Sequence, residues 1–253
     1  MYIENQILHQ SRLAKGKKNM FELPPMKLWS FGNLHLNYIS RENFFIASCA
    51  GRRVLHIGCT SMPYTQQRLD RGTHLHKLLL GVTKELYGID LSKEGIDIMK
   101  KHLNCDNLYV GDAERLDEIS LDKKDFDVIL AGDVLEHLNN PGLFLKGIRR
   151  FMMPNTRLII STNNAFSLPN FIRLTVKGFR EGTGHVMVNS PATLTNLLDR
   201  HGLKIKQIFT GYQKQPNGLA KKAIFCVGKL IFQAFPALGG TLIIVSRLAD
   251  SNE

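Results

Sequence analysis

The sequence predicts an α/β fold built on a doubly wound, mostly parallel sheet. Short β-rich runs recur at RVLHIG (53–58), LYGID (86–90), NLYVG (107–111), FDVILAG (126–132) and RLIIST (157–162). Helical stretches separate them: THLHKLLLGVTKEL (73–86), SKEGIDIMKKHL (92–103) and PGLFLKGIRRFM (141–152). The runs are almost continuously apolar rather than alternating, which is the pattern of parallel strands covered on both faces. A chain of 253 residues is long enough to bury the core such a sheet needs.

Residues 1–39 show no steady periodicity and read as an N-terminal extension, with PP at 24–25 and the single Trp29. SRENFFIASCAG (40–51) follows as a helix, with Ser40 as N-cap and Gly51 as stop. The α/β domain is expected over 40–248. Ser92 signals the start of one later helix, and Pro141 suits the first turn of another. The stretch 163–189 breaks the alternation and is too long for an ordinary αβ loop. Long excursions of this kind are often lids or substrate sites, so it is expected to lie on the substrate side. SPATLTNLLDRHG (190–202) reads as a helix with Ser190 at N-cap, Pro191 at N1 and Gly202 at its end. LKIKQIFTGY (203–212) and TLIIVSRL (241–248) are the last strands. Between them AKKAIFCVGKLIFQAFP (220–236) is an apolar run interrupted by Lys229 and Gln233, too short to span a bilayer. It is expected as an amphipathic helix that covers the sheet or rests on a membrane surface through Lys221, Lys222 and Lys229.

The net charge of +11 is unevenly placed. From Lys146 to Arg247 there are 15 Lys and Arg against two acids, Glu181 and Asp199, while the rest of the chain is close to neutral. Such asymmetry points to an anionic partner: a phosphorylated acceptor, nucleic acid or a membrane surface. The four cysteines (Cys49, Cys59, Cys105, Cys226) include no CxxC pair. Their spacing supports neither a disulfide framework nor a zinc site, so no metal is expected and a reducing, cytoplasmic setting is. No signal peptide is expected, because the first residues lack a continuous apolar core.

Ligands of open α/β sheets bind outside the carboxyl ends of the strands, at the topological switch point. There the sequence places Gly58-Cys59-Thr60-Ser61 after the first run, Asp90-Leu91 after the second and Gly111-Asp112-Ala113 after the third. Gly132-Asp133 follows the fourth, with Glu136-His137 close behind. An acid at the tip of the second strand can accept both hydroxyls of a ribose. Asp112 beside the small Ala113 can accept from an exocyclic amine while leaving room for a ring.

Over residues 40 to 248 the chain resembles a class I SAM-dependent methyltransferase of the small-molecule and glycan-pathway type. VLHIGCTS matches the family's glycine motif, YGIDLS its ribose acid, VGDAERL its adenine segment and FDVILAGDVLEHLNNPGLFL its fourth strand and loop. LIISTNNAFSL resembles the fifth-strand segment, with Asn163-Asn164 where Pro-Asn is usual. The resemblance implies a Rossmann-like sheet of seven strands, the last antiparallel, and S-adenosyl-L-methionine (SAM) as cofactor. It places His56, Gly58, Cys59 and Thr60 at the methionine end, Asp90 and Leu91 at the ribose, and Asp112 and Ala113 at the adenine. Gly132 and Asp133 would line the methyl-donor side. His137 is the candidate general base or orienter for an acceptor hydroxyl, with His185 in the 163–189 insertion as a second candidate.

The turn departs from the family pattern at His56, which stands where an acid is usual, and at Thr60 and Met62, which replace glycines. A protonated His56 would repel the ammonium and sulfonium of SAM, so weaker binding is expected below about pH 6.5. The expected activity is methyl transfer to a small-molecule, glycan or lipid-linked acceptor, anionic by the charge argument. Two other classes compete. A methyltransferase-like binding protein without catalysis would explain the altered turn, against the evidence of Asp90 and Asp112. A nucleic-acid methyltransferase would explain the basic charge, but the strand-four tip is AGDV rather than an Asn-Pro-Pro-Tyr clamp. A nucleic-acid partner is therefore not favoured.

Overall fold

Arg53–Ile57 forms a five-residue strand, β2, at the centre of the sheet, with Val54, Leu55, His56 and Ile57 all buried. Burial of successive residues means both faces are covered, as its apolar sequence requires. The computed structural model describes residues 36–121, 125–178, 184–212 and 218–249. In chain order the other strands are β1 (Asn37–Ser40), β3 (Glu85–Asp90), β4 (Leu108–Val110), β5 (Phe126–Gly132), β6 (Met152–Asn163), β7 (Leu203–Tyr212) and β8 (Thr241–Leu248). The helices are α1 (Arg41–Cys49), α2 (Thr65–Asp70), α3 (Leu75–Leu80), α4 (Lys93–Leu103), α5 (Pro141–Ile148), α6 (Leu168–Lys177), α7 (Pro191–Arg200) and α8 (Leu219–Ala234).

The sheet order is β1-β7-β8-β6-β5-β2-β3-β4. All pairings are parallel except those of β8, which runs antiparallel to both β6 and β7. The antiparallel last strand agrees with expectation, whereas the sheet has eight strands, not seven. The additional one is β1, which pairs with the edge of β7 from Asn37↔Phe209 to Ser40↔Tyr212. Four residues of mixed character carry no period, so this edge strand is invisible before its partner is in place. The remainder of the expected 1–39 extension lies outside the described residues.

Two apolar layers sandwich the sheet. On one face Phe45 and Cys49 of α1 and Leu79 of α3 pack on Val54, Val128, Leu130, Ile159 and Ile243. On the other, Phe144 and Leu145 of α5 and Leu194 and Leu198 of α7 pack on Leu55, Ile57, Ile129, Leu158 and Ile160. At the far edge Leu69 of α2 meets Ile96 and Met99 of α4 around Cys59 and Leu108.

The helix signals act as anticipated in several places. The Ser40 hydroxyl caps α1 by accepting from Asn43 N–H, and Ser92 caps α4 by accepting from Gly95 N–H. Ser190 and Thr193 form a reciprocal capping box at α7, with Pro191 in its first turn. Two readings change and one helix is added. The stretch 73–86 is not one helix: α3 ends at Leu80 and β3 begins at Glu85. TQQRLD, with no apolar period, forms the short α2. The 163–189 segment is not a plain loop, since α6 rises within it, capped by Ser167.

Candidate functional site

The strand order reverses beside β2, whose neighbours are β3 and β5, so the loops after these strands diverge and leave a crevice. A cleft of about 760 Å³ fills it, within the range of small-molecule sites. Its lining includes His56, Gly58, Cys59, Thr60, Asp90, Leu91, Asp112, Ala113, Gly132 and Asp133, together with His137. The crossover thus brings all ten candidate cofactor residues to one cavity from positions 77 residues apart in sequence.

Gly58 makes the turn. Its φ of +68° lies in the left-handed region, and a Cβ on it would meet Val134 Cγ2 at 2.5 Å. Only glycine combines that torsion with that proximity. Beyond the turn, the Asp90 carboxylate accepts from Thr60 N–H through Oδ2 and from Ser92 N–H through Oδ1, each at 2.9 Å. Two bonds leave lone pairs on both oxygens for a diol. Asp112 Oδ1 accepts from Glu114 N–H at 2.8 Å, which starts a 3₁₀ turn over Ala113–Glu118 and holds Ala113 at the rim. Leu91 is exposed at the mouth.

The Cys59 side chain turns away from the cleft into the packing around Leu69 and Met99, leaving only its backbone to the cavity. Burial, followed by the Asp90 charge, pushes its thiol pKa well above the usual value. His56 is likewise nearly enclosed, with Nδ1 3.2 Å from Nδ1 of His76 and the rings stacked. Burial first and the neighbouring His76 second hold its pKa well below 6.5. The expected loss of affinity near pH 6.5 through a charged His56 is therefore corrected: His56 stays neutral there.

A cationic element was missed in the sequence. Arg41, the first residue of α1, lies in the cleft with Nη2 3.0 Å from Asp133 Oδ2 and Nε donating to Ser161 Oγ at 2.8 Å. The Ser161 hydroxyl donates to Asp133 Oδ1 at 2.8 Å. Asp133 has φ of +56° and donates its own N–H to the Ser161 carbonyl at 2.9 Å. Gly132 makes the approach possible, since a Cβ there would meet Arg41 Nη2 at 2.7 Å. The guanidinium also lies over the Phe45 ring, 4.8 Å from its centroid. One arginine after an N-cap serine gives no sequence signal of this role; only the β1–β7 pairing carries α1 to the cleft.

At the other end the two candidate catalytic histidines meet. The His137 and His185 rings stand edge to face, 4.8 Å between centroids. His137 Nδ1 lies 3.1 Å from the Gly184 carbonyl, which fixes the proton on Nδ1 and leaves Nε2 with a free lone pair. His185 Nδ1 lies 3.1 Å from the Asn163 amide. Glu136 is buried beneath them, accepting from the Thr162 hydroxyl at 3.0 Å, and its carbonyl accepts from Val186 N–H at 2.8 Å. Burial, then the Asp133 charge, raises the Glu136 pKa.

The fit to SAM can be judged from these features. The ligand carries an adenine, a ribose diol and a zwitterionic amino acid on a sulfonium. The cleft presents Asp112, then Asp90, then the Gly58 backbone with Arg41 and Asp133 of opposite charge beside it. Donors and acceptors of the types these parts of the ligand require thus line one cleft.

Comparison with known proteins agrees. Residues 50–222 match the family model described as a methyltransferase domain. The chain is 28% identical over 183 residues to the mitochondrial ubiquinone biosynthesis O-methyltransferase of Schizosaccharomyces pombe, covering 68% of this chain and 60% of that protein. It is 35% identical over 144 residues to the ubiquinone biosynthesis O-methyltransferase of Pelagibacter ubique, covering 54% of this chain and 55% of that one. The chain thus matches a little over half the length of these relatives. In fold it is similar to a SAM-dependent methyltransferase from Archaeoglobus fulgidus, with a TM-score of 0.53 at 22% identity over 82% of this chain and 91% of that one. It is also similar to the magnesium protoporphyrin IX methyltransferase of Synechocystis PCC 6803, solved with bound SAH, with a TM-score of 0.50 at 15% identity over 82% of each chain.

Proposed function

The chain belongs to the methyltransferase-domain family, and on that premise we propose that it transfers the methyl group of SAM to a hydroxyl of a small, lipid-linked acceptor. The observation that carries this reading is the pairing of the Gly58 turn with the Asp90 carboxylate across one cleft. Asp90 takes the ribose diol, Asp112 and Ala113 the adenine, and the Gly58–Thr60 backbone the methionine. Arg41 receives the methionine carboxylate and Asp133 its ammonium. Held so, the sulfonium methyl points toward the His137–His185 end. There an acceptor oxygen attacks in line: an O–CH₃ bond forms, the S–CH₃ bond breaks with its electron pair passing to sulfur, and the hydroxyl proton passes to Nε2 of His137, whose Nδ1 faces the Gly184 carbonyl. Most of the acceleration comes from holding donor and acceptor at near-attack distance.

Oxygen is favoured as the acceptor atom because the relatives named above are O-methyltransferases. Those names concern ubiquinone biosynthesis and not a glycan, which favours the lipid-linked class among the three anticipated. A lipid surface is supported by two helices. None of the ten residues of α6 is buried, and Phe171, Ile172 and Val176 are 51–74% exposed. On α8 Val227, Leu230 and Ile231 are exposed, as is Phe235 just after it. The Asn164 amide donates to the carbonyls of Ala237 and Gly239, so both helices rise from one corner at the carboxyl edge of the sheet. Arg173 and Lys177 on α6 and Lys222 on α8 add the positive charge that suits anionic headgroups. Among the described residues no helix is long and apolar enough to cross a membrane. We place the protein at the cytoplasmic face of a membrane, where its four free cysteines stay reduced.

Two titrations and one transfer assay test the reading. Calorimetry with SAM and with its demethylated product should give one site for each. Labelled SAM incubated with the protein and a membrane extract should label an organic-soluble product. Absence of heat for both ligands would return the chain to the class of non-catalytic binding proteins. Label found only in nucleic acid would support the other competing class.

A further inference from the structure

Toward the amino-terminal ends of the parallel strands, opposite the cleft, we propose a binding site for a multivalent oxyanion of the phosphate class. It is formed by Arg157, Lys204 and Arg247, with Arg52 beside them. The site goes beyond the function proposed above and does not rest on it, since neither cofactor nor acceptor touches these residues. It also accounts for a part of the positive excess over 146–247 that the cleft and the apolar corner leave unused.

The sheet register brings three of the four cations into one row. Lys204 of β7 stands directly opposite Arg247 of β8. On the other side of β8 the antiparallel register runs from Asn163↔Thr241 to Leu158↔Ser246, and one residue further it sets Arg157 of β6 beside Arg247. Residues directly opposite one another project from the same face. Arg157 is in turn opposite Val128 of β5, which packs against Phe45 and Cys49 of α1. The row therefore lies on the α1 face. There Arg157 Nη2 donates to the Ser48 carbonyl, in the last turn of α1, at 2.8 Å. Arg52 Nη1 donates to the same oxygen at 2.6 Å. Two guanidiniums thus converge on one carbonyl, with Arg247 next in the row.

Like charges directly opposite each other in a sheet are destabilising, and Arg247 has a cation on either side. Among the described residues no carboxylate lies within 4.0 Å of Arg52, Arg157 or Arg247. Lys204 reaches Asp199 at 4.0 Å, a contact between solvent-accessible groups that screening weakens. The carboxyl-terminal end of α1 supplies about half an elementary charge, against four cations. Repulsive pairs kept in register are a local conflict of the kind that marks a functional site, and a bound anion resolves it. The chemistry of the set selects that anion. Three of the four cations are arginines, whose planar forks match phosphate oxygens in pairs. Each guanidinium has several N–H donors, so Arg52 and Arg157 keep donors beyond the bond to Ser48. All four residues are partly exposed, which leaves the row open to solvent. The helices α6 and α8 rise at the opposite, carboxyl edge of the sheet, so a bilayer touching them does not supply this phosphate; a free phosphate or phosphate ester does.

The test uses the full chain in low-salt buffer free of phosphate and sulfate, titrated calorimetrically with pyrophosphate. One site is expected, weakening as sodium chloride rises, and saturating pyrophosphate should raise the thermal midpoint. Arg247→Gln should weaken pyrophosphate binding roughly tenfold or more and remove most of that rise. By taking the middle charge out of the row, it should also raise the midpoint of the anion-free protein, an effect opposite to the loss of a structural contact. Arg247→Lys keeps the charge, so its anion-free midpoint should stay at the native value and it should retain part of the binding. The SAM titration should be unchanged in both variants. The proposal is overturned if the native chain does not bind pyrophosphate, if Arg247→Gln binds it as the native chain does, or if Arg247→Gln lowers the anion-free midpoint. Sedimentation with anionic vesicles should be the same for Lys204→Gln/Arg247→Gln as for the native chain. Its loss in that variant would assign the row to a lipid headgroup and overturn the free-anion reading.

Discussion

The Nδ1 atoms of His56 and His76 stand 3.2 Å apart in a buried, stacked pair beneath the cofactor turn. One imidazole donates and the other accepts, which requires the acceptor to be neutral, and burial holds both pKa values below the usual range. His56 stands where the family pattern that the sequence resembles has an acid, and burial keeps it neutral at ordinary pH.

Acid should therefore act on stability before it acts on the cofactor. Burial, then the charges of His76, His74 and Arg41, hold the His56 pKa well below 6.5, and burial, then the charge of His74, holds that of His76 at about 3. Depressed folded values mean the unfolded chain binds more protons below pH 6.5, so stability is full above that pH and falls as pH drops toward the folded values. His76 alone contributes a loss of about 2 kcal/mol between pH 6.5 and 5, and His56 acts in the same direction. Thermal melts should show a midpoint falling steeply over that window. The double variant His56→Leu/His76→Leu should flatten the slope, while SAM affinity in the native protein should show no His56-linked step between pH 8 and 6. An equally steep slope in the double variant would refute this account.

Gly58→Ala should cripple cofactor binding. The substitution combines a left-handed torsion, worth about 1 kcal/mol against a non-glycine residue, with a Cβ 2.5 Å from Val134 Cγ2. The turn must shift, and with it the backbone that meets the methionine. Calorimetry should show SAM affinity reduced at least thirtyfold. Adding Val134→Ala removes the collision but not the torsional cost, so it should recover only part of the loss.

Asp90→Ala should raise the dissociation constant for SAM by about 10- to 100-fold. A charge-assisted bond to the ribose contributes about 1.5–3 kcal/mol, and the same carboxylate holds Thr60 and Ser92 in place. Asp90→Asn retains one acceptor and should fall between. The demethylated product shares the ribose, so its affinity should drop by the same factor; a change confined to SAM would deny Asp90 its role.

Arg41→Met should also weaken SAM, by roughly tenfold or more, because it removes the cation beside Asp133 while keeping an apolar stem over Phe45. Adenosine lacks the amino-acid portion, so its weaker binding should not change. A parallel loss of adenosine affinity would indicate collapse of the loop instead.

Much of this was legible in the chain. The strand-end acids Asp90, Asp112 and Asp133 could be read because each follows a continuous apolar run, whose burial fixes where the strand stops. The same local logic located the capping serines. What escaped were relationships set by topology. Arg41 reaches the cleft through an edge strand of four residues with no period of its own. His76 sits in a short helix 20 positions from its partner His56. His56 could be seen as anomalous, but its protonation depends on burial, which no local pattern encodes. His137 and His185 were candidates separately, while their contact depends on a long excursion folding back.

The apolar corner offers the last test. α6 buries no side chain against the protein, yet it carries Phe171, Ile172, Leu174 and Val176 beside Arg173 and Lys177. Leaving such side chains in water forfeits about 1.5–3 kcal/mol for each large one, and a lipid surface would recover it. The full chain should therefore sediment with vesicles containing anionic phospholipid and much less with neutral ones, with binding that declines as salt rises. Phe171→Glu/Val176→Glu sets two charges into the apolar face at residues that do not line the cleft. It should abolish sedimentation by at least tenfold in partition while leaving the SAM titration unchanged. Arg173→Gln/Lys177→Gln should weaken binding to anionic vesicles only. If the acceptor is delivered from the bilayer, the glutamate variant should lose transfer to the membrane-borne acceptor but keep it toward a truncated, water-soluble one. Undiminished sedimentation of the glutamate variant would mean that α6 faces something other than lipid.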